Sequence, residues 1–237
     1  NYSKLNIYNI MIKNKGKYIL LSHTLNEATP SYGNRDKIII EANSSISDGE
    51  TANTSRWTFT NNHIGTHIDV PKHFSDTGKC TFDYPIGYFI FNKVAFIDLH
   101  CKGGHLIGPE DLEMMDIPSD IEFLAIRTGF ENYRYEDKYW NNNPGLKSSL
   151  ASYIRTKFPK LRCLGFDFIS ITSWLHRSEG KLAHKAFLFP ENGEREILAI
   201  EDMSLLGVNK EIDQIIVSPL FMGDGNGGSV TVICKLI

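Results

Sequence analysis

Residues 63–74 read HIGTHIDVPKHF, and both the fold class and the chemistry turn on whether this stretch is a helix or a strand. The spacing of His63 and His67 would suit a metal-binding helix. Gly65 inside the stretch, Pro71 just beyond it and the β-branched Ile64, Thr66, Ile68 and Val70 all oppose that conformation. In an extended segment the side chains alternate. Positions 63, 65, 67, 69, 71 and 73 then share one face, and Ile64, Thr66, Ile68 and Val70 share the other. The polar face turns to a cavity and the β-branched face to a core. The Cα atoms of His67 and Asp69 lie about 7 Å apart in such a strand, within reach of one shared ion, but His63 and His67 lie about 13 Å apart. The chain therefore has to bend between them, and Gly65 accepts a bend without steric cost.

Outward from this stretch the chain is rich in short apolar, β-branched runs. They are YILLS near residue 20, KIIIEA near 40, RWTFT near 58, VAFIDL near 96, EFLAIR near 124, LRCLGF near 163, EILAIE near 198, IIVSPLF near 218 and VTVICKL near 233. The strongest helical pattern is LKSSLASYIRTKF. There Leu146, Leu150, Tyr153, Ile154 and Phe158 recur at spacings of three and four, and Pro159 closes the end. A shorter helix is expected to begin at Pro109. Strands in excess, not alternating strictly with helices, predict an α+β domain built on a mixed sheet. No repeat, low-complexity tract or long linker divides the chain, so one domain over residues 1–237 is expected.

With 22% charged residues and a net charge of −3, the chain offers no broad field for nucleic acid or an acidic membrane, so a small-molecule partner is expected. No apolar run approaches the roughly 18 residues of a membrane span, and the polar start lacks the apolar core of a signal peptide, which predicts a cytoplasmic location. Cys80, Cys101, Cys163 and Cys234 stand far apart and read as small core residues, not as a disulfide frame or a thiolate metal knot.

His63, His67 and Asp69 are the residue types that hold a catalytic Zn²⁺ and that also suit Mn²⁺, with a position left for water. Such an ion lowers the pKa of water from about 15.7 toward 7, and hydrolysis is the natural use. His73 is placed to carry the proton that the leaving atom needs. A purely structural zinc is usually closed by four ligands, often thiolates, and no cysteine is near.

The same stretch resembles the H-x-G-T-H-x-D-x-P-x-H motif of the cyclase-like metal hydrolases, the group that includes bacterial kynurenine formamidase and isatin hydrolase. Weaker similarities run through LSHTLNEATPSYG, AIRTGF, LGFDFISI and SPLFMGDGNGGSV. The resemblance implies a swivelling β/β/α domain, one or two metal ions and assembly as a homodimer or homotetramer. It implies that His63, His67 and Asp69 are ligands, that Asp69 can bridge two ions and that His73 is the proton shuttle. It further implies a second site completed by His184 of LAHKAFLF and Glu201 of ILAIEDMSLL. The intervening FPENGERE is longer than the family pattern and makes Glu191, Glu194 and Glu196 rivals of Glu201. Glu201 is preferred because it ends an apolar, strand-like run while the others sit in a polar turn. Tyr32 of TPSYG stands where kynurenine formamidase places a tryptophan against its substrate's ring, and it is expected to bind substrate by stacking. The ending SVTVIC lacks the family's usual arginine.

Arg127 reads equally as a carboxylate binder or as a member of an ion pair. Asp167 and Ser170 could support the metal shell or satisfy a turn. His23, His100, His105 and His176 have no partner motif. The expected function is hydrolysis of a carbon–nitrogen bond in an amide, formamide or cyclic amide. The alternatives are ester or lactone hydrolysis at the same site, or metal-dependent binding without catalysis.

Overall fold

The structure, a computed structural model, describes residues 17–190 and 193–237. Thirteen strands lie among them: β1 (Tyr18–Leu20), β2 (Ile38–Ser44), β3 (Thr54–Phe59), β4 (His67–Asp69), β5 (Ile90–Phe91), β6 (Val94–Asp98), β7 (Leu106–Ile107), β8 (Phe123–Arg127), β9 (Gly145–Leu146), β10 (Cys163–Phe166), β11 (Leu198–Glu201), β12 (Ile212–Pro219) and β13 (Gly227–Leu236). The described helices are α1 (Pro109–Leu112), α2 (Lys138–Asn141), α3 (Ser148–Lys157) and α4 (Arg177–Leu188). None is long and apolar enough to cross a membrane.

The main sheet runs β5-β12-β13-β4-β11-β10-β8-β6, with β1 added on β13. β6, β8, β10 and β11 are parallel to one another, while β4 is antiparallel to both its neighbours, β11 and β13. This is the mixed, strand-rich α+β architecture expected from the sequence. The two ends of the order, β5 and β6, are nearly consecutive in the chain, so the sheet curls back on itself toward a barrel. Hairpin β2–β3 stands apart as its own two-stranded sheet.

Alternation along the strands builds two cores. From β8 and β10, Leu124, Ile126, Leu164 and Phe166 pack with Leu150 and Ile154 of α3 and Phe187 and Leu188 of α4. From the same strands and their neighbours, Phe123, Ala125 and Cys163 pack inside the curl with Leu198, Ile200, Ile68, Val70 and Val232. Burying each such side chain contributes roughly 1.5–3 kcal/mol. Cys80, Cys163 and Cys234 are buried and Cys101 is half-buried, all four as free thiols.

Two expectations about helices need correction. The pattern that begins at Leu146 becomes helical only at Ser148, because Gly145–Leu146 pairs as β9 with β7. More consequentially, Arg177–Leu188 forms the longest of the described helices, which the sequence reading did not predict. Gly180 in its interior lowers its propensity, but Ala183, Phe187 and Leu188 lie on a face that buries completely.

Candidate metal centre

Ala199 of β11 belongs to the core on the helix-bearing side of the sheet, and Glu201, two residues further, shares its face. Antiparallel pairing sets Glu201 directly opposite His67 and Ala199 opposite Asp69, with Ile200 against Ile68 turned to the other core. Directly opposed residues share a face, so register alone delivers the Glu201 carboxylate to His67, with Oε2 3.2 Å from Nε2. A slip of one residue would send it to the opposite side of the sheet. On the other edge of β4 the opposed residues are Gly227 and Ser229, both small, which leaves room above Asp69 and His67. The cluster thus sits at the carboxyl end of a parallel strand, where open α/β sheets place their sites.

Gly65 makes the expected bend, with φ of +69°. It returns His63 to the cluster, so that Nδ1 lies 2.8 Å from Asp69 Oδ1, while His67 Nε2 lies 3.6 Å from the same oxygen. The extended reading fails beyond Asp69: Pro71–His73 is a 3₁₀ turn with proline at its first position, where a fixed φ and a missing N–H are tolerated. That turn still brings in His73, whose ring stacks on His63 at 4.0 Å between centroids. α4 supplies His184, with Nε2 3.5 Å from Asp69 Oδ2 and 3.7 Å from Glu201 Oε1.

The outer contacts decide which imidazole nitrogens face inward. His67 donates from Nδ1 to Gly65 O at 2.7 Å, and His184 donates from Nδ1 to Gly180 O at 2.8 Å, so both present Nε2 to the carboxylates. Glu201 Oε1 accepts from the Ile171 amide at 2.7 Å and from Ser170 Oγ at 3.2 Å.

Burial alone would neutralise every one of these groups, yet their mutual attraction reverses that tendency. Against burial, the surrounding imidazoles of His73, His184 and His63 hold Asp69 well below the usual carboxylate range. Burial and Asp69 both raise Glu201, but His184 and His67 bring it below its ordinary value. Burial pulls His67 down, but Glu201 and Asp69 lift it to about 9; His184, also opposed by burial, is lifted to about 10. His73 differs: burial dominates, and its pKa falls to about 4.

The residues fit a divalent cation. Two groups of donors, His63–Asp69–His73 and His67–Asp69–Glu201, each gather within 4.8 Å, and Asp69 is common to both. Asp69 Oδ2 is buried and has no hydrogen-bond partner, a costly condition for a carboxylate oxygen that a cation would relieve. Donors about 2.0–2.2 Å from a shared ion lie roughly 3.0–3.5 Å from one another, and the separations found here, 2.8 to 3.7 Å, bracket that range. The set mixes imidazole nitrogen and carboxylate oxygen, which suits Zn²⁺ and Mn²⁺ alike. Its charge also favours exchange, because the protons held by His67 and His184 can give way to a metal.

These side chains line a cavity of about 410 Å³, a size typical of small-molecule sites. Tyr32 lines it as well; its ring lies 5.2 Å from that of Trp174, and its buried hydroxyl has no partner. Trp174, which the sequence reading missed, packs against Tyr32 from a distant segment. Ser170 supports Glu201, whereas Asp167 accepts from the amides of Thr128 and Gly129 and so serves a turn. Arg127 is an ion-pair member: it binds Asp98 and the carbonyls of Leu205 and Val208, away from the cavity. Glu194 and Glu196 pair with Arg155 and Lys79, and Glu191 lies outside the described residues. His105 pairs with Asp111, and His23 lies half-buried beside Glu131. Asn226, which meets His63 Nε2, and Asn62, which meets Asn226, were also missed; asparagine within GDGNGG, as at 226, reads as turn chemistry.

Residues 19–173 match the family described as putative cyclase. The chain is 34% identical over 110 residues to an uncharacterized protein of Haemophilus influenzae, covering 45% of this chain and 78% of that one. It is 25% identical over 221 residues to a kynurenine formamidase of Bacillus thuringiensis subsp. konkukian, covering 93% and 98% of the two chains. Among solved structures, isatin hydrolase A of Labrenzia aggregata bound to benzyl benzoate superposes with a TM-score of 0.73 at 17% identity, covering 99% of each chain. An isatin hydrolase bound to the product analogue thioisatinate superposes with a TM-score of 0.75 at 16% identity, covering 99% of this chain and 98% of that one. The matched span takes in more than half of the sequence, from β1 through the His63–Phe74 motif to the loop before α4, and the chain belongs to the putative cyclase family.

Proposed function

We propose that the chain is a metal-dependent hydrolase that cleaves a carbon–nitrogen bond in an amide, formamide or cyclic amide. The observation that carries this reading is the pairing of a cation-competent cluster with a neutral histidine in one cavity: Asp69 Oδ2 lacks a donor, and His73 is held unprotonated beside it. Relatives named kynurenine formamidase and neighbours named isatin hydrolase point to the same bond type. His63, His67, Asp69, His184 and Glu201 would hold one or two ions, either Zn²⁺ or Mn²⁺. A bound ion supplies acidification of water and stabilisation of charge on a carbonyl oxygen.

The chain's own residues supply the rest. With a pKa of about 4 in the metal-free site, His73 is unprotonated near neutrality, so it can accept a proton from the attacking water and pass it to the departing nitrogen. Tyr32 offers its ring and an unpartnered hydroxyl to a planar substrate. Ser170 and the Ile171 amide fix Glu201 so that its remaining oxygen faces His67.

The test is a panel of N-formyl aromatic amines, cyclic amides, esters and lactones with wild type and His73→Ala. Turnover of amides by wild type and a loss of at least about 10²-fold in His73→Ala, with metal content unchanged, are expected. Turnover confined to esters and lactones would replace the amide reading. Loss of metal from His73→Ala would make His73 a ligand, and full activity in that variant would remove it from the chemistry.

A further inference from the structure

We propose that Asn226 is a positioning residue that decides which nitrogen of His63 is offered to the cation, an inference that rests on the metal-centre reading. Gly227 O can only accept a hydrogen bond. Asn62 Nδ2 lies 3.0 Å from it, so this end of the Asn62 amide must be the nitrogen. The same nitrogen lies 2.7 Å from Asn226, which must therefore present its oxygen. That oxygen lies 3.1 Å from His63 Nε2 and can form a hydrogen bond only if Nε2 carries the proton. In the neutral ring Nδ1 is then the bare nitrogen, and it lies 2.8 Å from Asp69 Oδ1. Two acceptors at that distance repel each other unless positive charge joins them. A divalent cation held by both relieves this without disturbing the bond to Asn226.

The ring has little freedom to choose otherwise. His73 stacks on it, and Gly227 leaves room for its edge: a Cβ on Gly227 would come within 2.7 Å of His63 Cε1 and 2.4 Å of Ile68 O. The arrangement is the reverse of that at His67 and His184, where backbone carbonyls hold Nδ1–H and Nε2 faces inward. There no side-chain substitution deletes the acceptor. At His63 the acceptor is a side-chain amide in the loop after β12, so a single substitution removes it. Asn226 thereby couples that loop to the cavity it lines.

The experiment uses the full chain labelled with ¹⁵N at histidine, with Zn²⁺ alone as probe. Long-range ¹H–¹⁵N correlations identify the ring nitrogen that takes the metal. In wild type, zinc is expected to shift Nδ1 of His63 while Nε2 keeps its proton, whereas Nε2 shifts in His67 and His184. Asn226→Leu removes the acceptor and is expected to mix the His63 tautomers and weaken zinc binding about 10–100-fold. Asn226→Asp retains an acceptor and is expected to restore both the Nε2–H signal and the affinity. Asn62→Ala, which frees the Asn226 amide to turn, is expected to reproduce part of the loss. Zinc taken by Nε2 of His63, or wild-type signals and affinity in Asn226→Leu, would overturn the role of Asn226 alone. If none of the three histidines responds to zinc, the metal-centre reading fails and this inference falls with it.

Discussion

Glu201 and Asp202 are consecutive carboxylates, both buried, and they are neutralised in different ways. Asp202 receives the guanidinium of Arg134 in bidentate fashion, at 2.9 Å from Nε and 2.6 Å from Nη2, and the hydroxyl of Tyr139 at 2.5 Å. Both partners are supplied by the chain, and the guanidinium stays charged at any ordinary pH. The same guanidinium adds to burial in holding His23 down to about 3, so the histidine beside this cluster stays neutral. Glu201 and Asp69 face imidazoles instead, whose protons can leave, and Asp69 Oδ2, 3.5 Å from His184 Nε2, makes no well-formed hydrogen bond. A buried carboxylate has to be balanced by hydrogen-bond donors or by a cation, and these are balanced by positive charge. Where the chain builds in a permanent one the cluster is structural, and where it builds in exchangeable protons the cluster can take a metal.

Removing the permanent cation is the severest way to break this contrast. Arg134→Met is expected to lose about 3–5 kcal/mol in urea unfolding, because Asp202 is left buried and unpaired. Stability equal to wild type would show that Arg134 does not balance that charge.

Zinc sharpens the other half. At free zinc one hundred times its Kd the wild type is expected to gain about 2.7 kcal/mol, measured as the shift in unfolding midpoint. At a fixed free zinc concentration the gain should grow with pH. His67 and His184 have folded values near 9 and 10, above the ordinary 6.5. Their protonated forms therefore stabilise the metal-free protein fully below about 6.5, and that contribution is lost as pH rises through 9 to 10. Zinc displaces those protons, so calorimetric affinity should rise by up to about tenfold per pH unit for each proton released between pH 6.5 and 8.5. Flat affinity over that interval would mean that the imidazoles are not exchanging protons for metal.

The smallest effects belong to the rival glutamates. Glu194→Gln and Glu196→Gln remove surface partners of Arg155 and Lys79 and should change stability by no more than about 1 kcal/mol, with zinc binding intact. Loss of zinc in either would move the site away from Glu201.

Much of the cluster was legible because it is local. The period of two in Ile64, Thr66, Ile68 and Val70 separates core from cavity, Gly65 marks the bend, and the apolar run ending in Glu201 makes it a strand terminus. Strand register, which no local pattern states, is what places Glu201 against His67. α4 escaped because its interior Gly180 and polar first turn weaken the local signal, and its formation depends on Phe187 and Leu188 finding the sheet. The resemblance to a family motif pointed to His184 where periodicity did not. Trp174 and Asn226 were illegible for a similar reason, since each acts through residues more than a hundred positions away in the chain.

The central claim concerns Asp69, shared by both donor groups. The direct test is divalent-metal content by elemental analysis after dialysis against metal-free buffer, followed by titration with Zn²⁺, for wild type and Asp69→Asn. Wild type is expected to hold at least one equivalent, and the variant less than about a tenth of that, because both groups lose their common carboxylate. A folded wild type that takes up no metal, or a variant that keeps its full complement, would contradict the account.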